Sequence, residues 1–132
     1  MARLLLIEDD ELTRRALRLT LEKAGHEVME AGNGHQGLAV FQSEAVDLVI
    51  TDMILPEMDG LETIRALKAL RADLAIIAIS GGGRGTPESY LRLAKGFGAS
   101  RIFAKPFEPA DLRDAIDQLL GKKAPPAPPD RA

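Results

Sequence analysis

Short apolar runs alternate along this chain with stretches in which apolar residues recur every three or four positions. Residues 4–7 (Leu-Leu-Leu-Ile) form a continuous apolar run, ended by the acidic run Glu8-Asp9-Asp10-Glu11. Leu17, Leu21 and Ala24 then fall on one helical face, and Gly25 stands where a glycine commonly stops a helix. Val28-Met29 is a short strand signal, and residues 37–43 predict a short helix. Residues 47–51 predict a strand that delivers Asp52 at its end. A turn-rich segment, Leu55-Pro56-Glu57-Met58-Asp59-Gly60, leads into a helix over 61–70, with Ile64, Leu67 and Leu70 at helical spacing. A further apolar strand, 74–79, ends at Ser80 before the loop Gly81-Gly82-Gly83-Arg84-Gly85. Pro87 suits the first position of a helix with Leu91 and Ala94 on one face. Residues 101–104 predict the last strand, ahead of Lys105-Pro106. Pro109 opens a final helix carrying Leu112, Ile116 and Leu119, closed by Gly121.

Strand and helix alternate five times in this reading. The strands read as apolar runs rather than in–out alternation, as expected of strands covered on both faces of a parallel sheet. The predicted architecture is a five-stranded, doubly wound α/β fold over residues 1–121. From Lys122 the composition changes to Lys-Lys-Ala-Pro-Pro-Ala-Pro-Pro-Asp-Arg-Ala. Residues 122–132 are expected to be a disordered Pro-rich tail, either a solubilising end or linker, or a docking peptide.

Composition narrows the chemistry. The 132 residues fit one domain, and an apolar fraction of 45% with only 4% aromatics makes a core of Leu, Ile, Val and Ala. The absence of Cys excludes disulfides, thiolate catalysis and Cys-based metal sites. No signal-peptide pattern and no long apolar run appear, so a cytoplasmic protein without membrane attachment is expected. A net charge of −3 with scattered basic residues gives no case for nucleic-acid binding. His26 and His35 read as ordinary surface histidines.

The residues with chemical potential share one address. Glu8 and Asp9 end the first strand, Asp52 the third, Ser80 the fourth and Lys105 the fifth. In a parallel sheet these ends lie along one edge, where open α/β folds bind ligands. Three carboxylates, a hydroxyl and an ammonium therefore converge. Crowded carboxylates call for protonation or a hard divalent cation, and Mg²⁺ fits best. A carboxylate beside Mg²⁺, with a lysine and a hydroxyl nearby, is a workable phosphoryl acceptor, because phosphoryl transfer asks mainly for positioning and charge neutralisation. Each residue taken singly also has a structural reading. Asp9 or Asp10 could cap the first helix, and Ser80 could begin a loop.

With these residues in place, the chain resembles the receiver domain of two-component response regulators over residues 3–121. The matching pieces are Leu5-Leu6-Ile7-Glu8-Asp9-Asp10, the segment Thr51-Asp52-Met53-Ile54-Leu55-Pro56-Glu57-Met58-Asp59-Gly60, Ile79-Ser80-Gly81, and Lys105-Pro106-Phe107. The resemblance implies a flavodoxin-like fold with strand order 2-1-3-4-5 and five helices, in a stand-alone, chemotaxis-regulator-like domain. It implies that Asp52 is the phosphoacceptor, and that Glu8, Asp9, Asp52 and the backbone carbonyl of Ile54 bind Mg²⁺. Ser80 would be the switch hydroxyl. Lys105 would pair with the phosphate, aimed by a cis Lys105-Pro106 peptide. The donor would be a phosphohistidine on a sensor histidine kinase or histidine phosphotransfer protein. The output would be a shift of the surface made by the fourth helix, fifth strand and fifth helix, read by a downstream effector protein. Asp10 would take a supporting role, as cap or in the metal's outer shell. Thr86 and Tyr90 receive no role.

Two departures from the family pattern bear on signalling. Many receivers have an aromatic residue three positions before the lysine, where this chain has Ile102, and Phe103 should point to the opposite face. The segment from Ser80 to Lys105 is also longer than usual, the extra length falling in the glycine run at 81–85. That run reads as a mobile loop beside the site or as a tolerated insertion. Gly82 and Ile54 would flank the water that hydrolyses the acyl phosphate, and neither side chain hydrogen-bonds to it, which implies slow self-dephosphorylation. Two other functions fit the same strand-end residues: a receiver-like binding module that is not phosphorylated, and an aspartyl-nucleophile phosphohydrolase. The hydrolase would need a second acid near the nucleophile, and position 54 is Ile. The domain is therefore not expected to be an enzyme with a separate substrate.

Overall fold

The computed structural model describes residues 2–53, 60–80, 92, 94–105 and 107–121. Five strands, β1 (Arg3–Ile7), β2 (Glu27–Ala31), β3 (Leu48–Asp52), β4 (Ala75–Ser80) and β5 (Arg101–Ala104), form one parallel sheet in the order β2-β1-β3-β4-β5. The helices are α1 (Glu11–Lys23), α2 (Gly34–Ser43), α3 (Gly60–Leu70), helical residues 94–97 (α4) and α5 (Pro109–Gly121). The central strands β3 and β4 are buried along their whole length, as their apolar runs predict, and the polar residues that end them, Thr51, Asp52 and Ser80, are buried as well.

Two apolar layers sandwich the sheet. Leu5, Ile7, Val49, Ile76 and Ala78 pack with Ile64 and Leu67 of α3 and Ala94 of α4 on one face. Leu4, Leu6, Leu48, Ile50 and Ile77 pack with Leu21 of α1 and Leu112, Ile116 and Leu119 of α5 on the other. Adjacent residues of a strand thus serve opposite layers, following the period of two.

The helix ends explain the element boundaries. Asp10 caps α1, its carboxylate accepting from the Thr13 amide at 2.9 Å. At the other end the His26 amide donates to Leu21 O and the Gly25 amide to Glu22 O, with Gly25 at φ 99°, the glycine-terminated pattern expected there. Ala24 is the exposed C-cap rather than a core residue. α2 begins three residues earlier than the sequence reading, because Asn33 caps it through the Gln36 amide and Gln36 reaches back to the Gly32 amide. His35 is exposed. His26 is half-buried, its Nδ1 accepting from the Ala2 amide at 3.2 Å, and burial holds its imidazole below the usual range. The expectations for Ile54, the glycine run at 81–85, Pro87, Leu91, Pro106 and the tail 122–132 lie outside the described residues. Among the described residues, no helix is long and apolar enough to cross a membrane.

Candidate functional site

The parallel register brings the chemically active residues to one edge of the sheet. Ile7 stands beside Thr51, Asp52 beside Ile79, and Ser80 beside Ala104. The residues at or just past those strand ends, Glu8, Asp52, Ser80 and Lys105, therefore meet across β1, β3, β4 and β5. Glu8 is 3% exposed, Asp52 8% and Ser80 1%, whereas Asp9 is exposed. Glu8, Asp9 and Asp52 each offer an oxygen within 4.8 Å of the others.

Lys105 closes the group. Its Nζ lies 3.1 Å from Glu8 Oε1 and 3.3 Å from Asp52 Oδ2. Its amide donates to the Ser80 carbonyl at 2.8 Å, which continues the sheet and fixes where the lysine leaves the chain. Glu8 is held from the other side by the Asp10 amide, which donates to Oε2 at 3.1 Å.

The electrostatics reveal an excess of negative charge. Burial pushes the Glu8 carboxyl up from 4.5 to about 7, and the charge of Asp52 adds to it, against the opposing Asp10 amide and Lys105. Burial works against the Lys105 ammonium, yet Asp52 and then Glu8 more than offset that, and its pKa is raised. Among the described residues, three carboxylates gather around the Lys105 ammonium, an arrangement that a further cation would suit.

The donor set fits a hard divalent ion. All three groups are carboxylates, and two oxygens on one octahedral Mg²⁺ stand at most about 4 Å apart. The observed cluster, with oxygens within 4.8 Å of one another, is somewhat wider than that spacing. Asp9 is exposed, so the cluster is open to water on that side, as a hydrated divalent ion would require.

Two features of the site went unread in the sequence. One is the backbone contact behind Asp52. The Gly60 amide donates to Met53 O at 3.0 Å, and a Cβ on Gly60 would stand 2.5 Å from Met53 Cα and 2.6 Å from Asp52 O. Only glycine lets the start of α3 lie directly against the end of β3. The other is Arg14, whose Nη1 donates to the Glu8 carbonyl at 2.9 Å. No local pattern marks it, since Arg14, Arg15 and Arg18 look alike in sequence.

On β5, Ile102 packs into the layer with Met53 and Ile64, while Phe103 joins the α1–α5 layer and lies 5.5 Å, centroid to centroid, from Phe107. The two side chains point to opposite faces, as their spacing required.

Comparison with known proteins agrees with this geometry. The family model described as the response regulator receiver domain matches residues 4–117. The chain is 38% identical to the response regulator receiver protein CpdR of Brucella abortus, over 91% of this chain and 98% of that protein. It is 31% identical to sporulation initiation phosphotransferase F of Bacillus subtilis, over 92% and 96% of the two chains. A crystal structure of a response regulator receiver domain protein from Clostridium thermocellum superposes with a TM-score of 0.86 at 30% identity, covering 93% of this chain and 97% of that one.

Proposed function

The chain belongs to the response regulator receiver domain family, and from that premise we propose that Asp52 accepts a phosphoryl group from a phosphohistidine on a partner protein, assisted by Mg²⁺. One observation carries the reading above all: Glu8, Asp9 and Asp52 gather within 4.8 Å while Lys105 reaches both Glu8 and Asp52.

Glu8, Asp9 and Asp52 would hold the ion, and the resemblance adds the carbonyl of Ile54, which lies outside the described residues. Mg²⁺ bound there would supply positive charge to the phosphoryl oxygens. An Asp52 carboxylate oxygen attacks phosphorus, the P–N bond to the donor imidazole breaks, and the imidazole leaves with the electron pair and takes up a proton. The product is an acyl phosphate on Asp52. Lys105 then exchanges its carboxylate partners for the phosphoryl group, and the Ser80 hydroxyl donates to one phosphoryl oxygen. Burial of Glu8, Asp52 and Ser80 strengthens these charge interactions relative to open water.

The acceptor is the protein itself, so the domain acts as a signalling module rather than on a separate substrate. Its output passes to an effector protein through the face formed by α4, β5 and α5. Ile102 stands where many receivers carry a rotating ring, and it packs into the layer with Met53 and Ile64, so the response does not run through such a ring. The test is phosphotransfer from a radiolabelled histidine kinase or phosphotransfer protein, with Mg²⁺ and with chelator. Labelling that requires Mg²⁺ supports the reading, and labelling unaffected by chelator refutes the metal's part in it.

A further inference from the structure

Glu8 is fixed at both backbone ends. Its amide donates to Ala31 O at 3.0 Å, and its carbonyl accepts from Arg14 Nη1 at 2.9 Å. Arg14 is braced in turn, its Nε donating to Glu30 Oε1 at 2.7 Å. The other oxygen of Glu30 pairs with Arg18, which also donates from Nε to Glu22 Oε2 at 2.9 Å. Side chains of Arg14 and Glu30 are 19% and 23% exposed, while Arg18 is 43% exposed.

We infer that Arg14 is a positioning residue for the acidic pair, and that Glu30 braces and neutralises it. The inference rests on the metal reading above. The peptide linking Glu8 to Asp9 is planar, so the hydrogen bond to the Glu8 carbonyl also sets the plane from which Asp9 departs. Asp9 is exposed, and packing does not orient it. Its direction is therefore inherited from the backbone that Arg14 pins. A guanidinium near a cation site would ordinarily repel the cation. The Glu30 carboxylate on β2 cancels that charge while leaving one guanidinium edge free for the carbonyl. Glu30 is held below the usual carboxylate range by its hydrogen bonds to Arg18 and Arg14, so it keeps its charge through neutral pH.

The two arginines make the inference separable from general stability. Both pair with Glu30, but Arg14 alone of the two touches Glu8. The experiment measures Mg²⁺ dissociation constants for the full chain by NMR titration, with Tm in chelator measured in parallel. Removing an outer-sphere partner typically weakens a metal site ten- to a hundredfold, and R14M should sit at the lower end, about tenfold, because it acts through a backbone carbonyl. R14K should lose about threefold, since an ammonium cannot hold carbonyl and carboxylate in one planar fork. R18M should lower Tm yet bind Mg²⁺ as wild type does. Wild-type affinity in R14M, or an equal loss in R18M, overturns the inference. If R14M does not fold, R14K decides it, and wild-type affinity there overturns it. A wild-type chain that does not bind Mg²⁺ overturns the metal reading, and this inference with it.

Discussion

Replacing Glu8 by Gln isolates one buried charge whose effect has a calculable size and sign. In the metal-free protein the Glu8 carboxyl is pushed up from 4.5 to about 7, first by burial and then by Asp52. Between those values the folded chain binds a proton at Glu8 that the unfolded chain has released. Stability from this group is therefore fully present below about pH 4.5 and lost as pH rises through about 7. At about 1.4 kcal/mol per pH unit, the loss amounts to about 3 kcal/mol. Gln resembles the protonated acid and does not titrate. Urea unfolding in chelator should thus show E8Q and wild type nearly equal in stability at about pH 4.5, with E8Q more stable by about 3 kcal/mol at about pH 8. Subtracting the two curves removes the opposing contribution of Glu30, whose lowered pKa, set first by Arg18, makes stability fall as pH falls. Mg²⁺ should narrow the gap at pH 8, because it stabilises wild type through the ionised Glu8 and E8Q far less. A difference between the two proteins that stays flat across this range would refute the placement of Glu8 as a buried, repelled carboxylate.

Other substitutions probe the remaining supports. Lys105→Met leaves Glu8 and Asp52 without the ammonium they share, and should cost about 1–3 kcal/mol in chelator, less than a fully buried pair because Lys105 is partly exposed; urea unfolding measures it, and Mg²⁺ should recover part of the loss. Gly60→Ala gains helix propensity but drives a Cβ into backbone at Met53 and Asp52, for a net loss of about 2 kcal/mol and slower acetyl phosphate labelling. Asn33→Ala removes the α2 cap and should cost about 1 kcal/mol with Mg²⁺ affinity unchanged, separating helix stability from the site.

The parallel sheet was legible because β3 and β4 carry continuous apolar runs, Leu48–Ile50 and Ala75–Ile79, and that pattern has few other uses in a chain of this length. The site followed once strand ends were placed on one edge: Glu8, Asp9, Asp52 and Lys105 are brought together as expected. The opposite facing of Ile102 and Phe103 also came directly from the strand period. The start of α2 was misplaced because its signal lies in polar residues, Asn33 and Gln36, outside the apolar pattern that marked the helix. Arg14 was missed as part of the site, and Gly60, read in the motif after Asp52, was not read for the contact it makes; the reason is a different one. Their importance depends on three-dimensional neighbours: Glu30, which stands beside Leu6 in the β1–β2 register, and the backbone of Met53. Neither partner is set by sequence spacing.

The most direct test of the central claim is intact-mass measurement after incubation with Mg²⁺ and acetyl phosphate, for wild type and Asp52→Asn. Wild type should gain the mass of one phosphoryl group, lost again in mild base as an acyl phosphate is, while Asp52→Asn stays unmodified. Equal modification of both proteins, or of neither, would contradict the assignment of Asp52 as the phosphoacceptor.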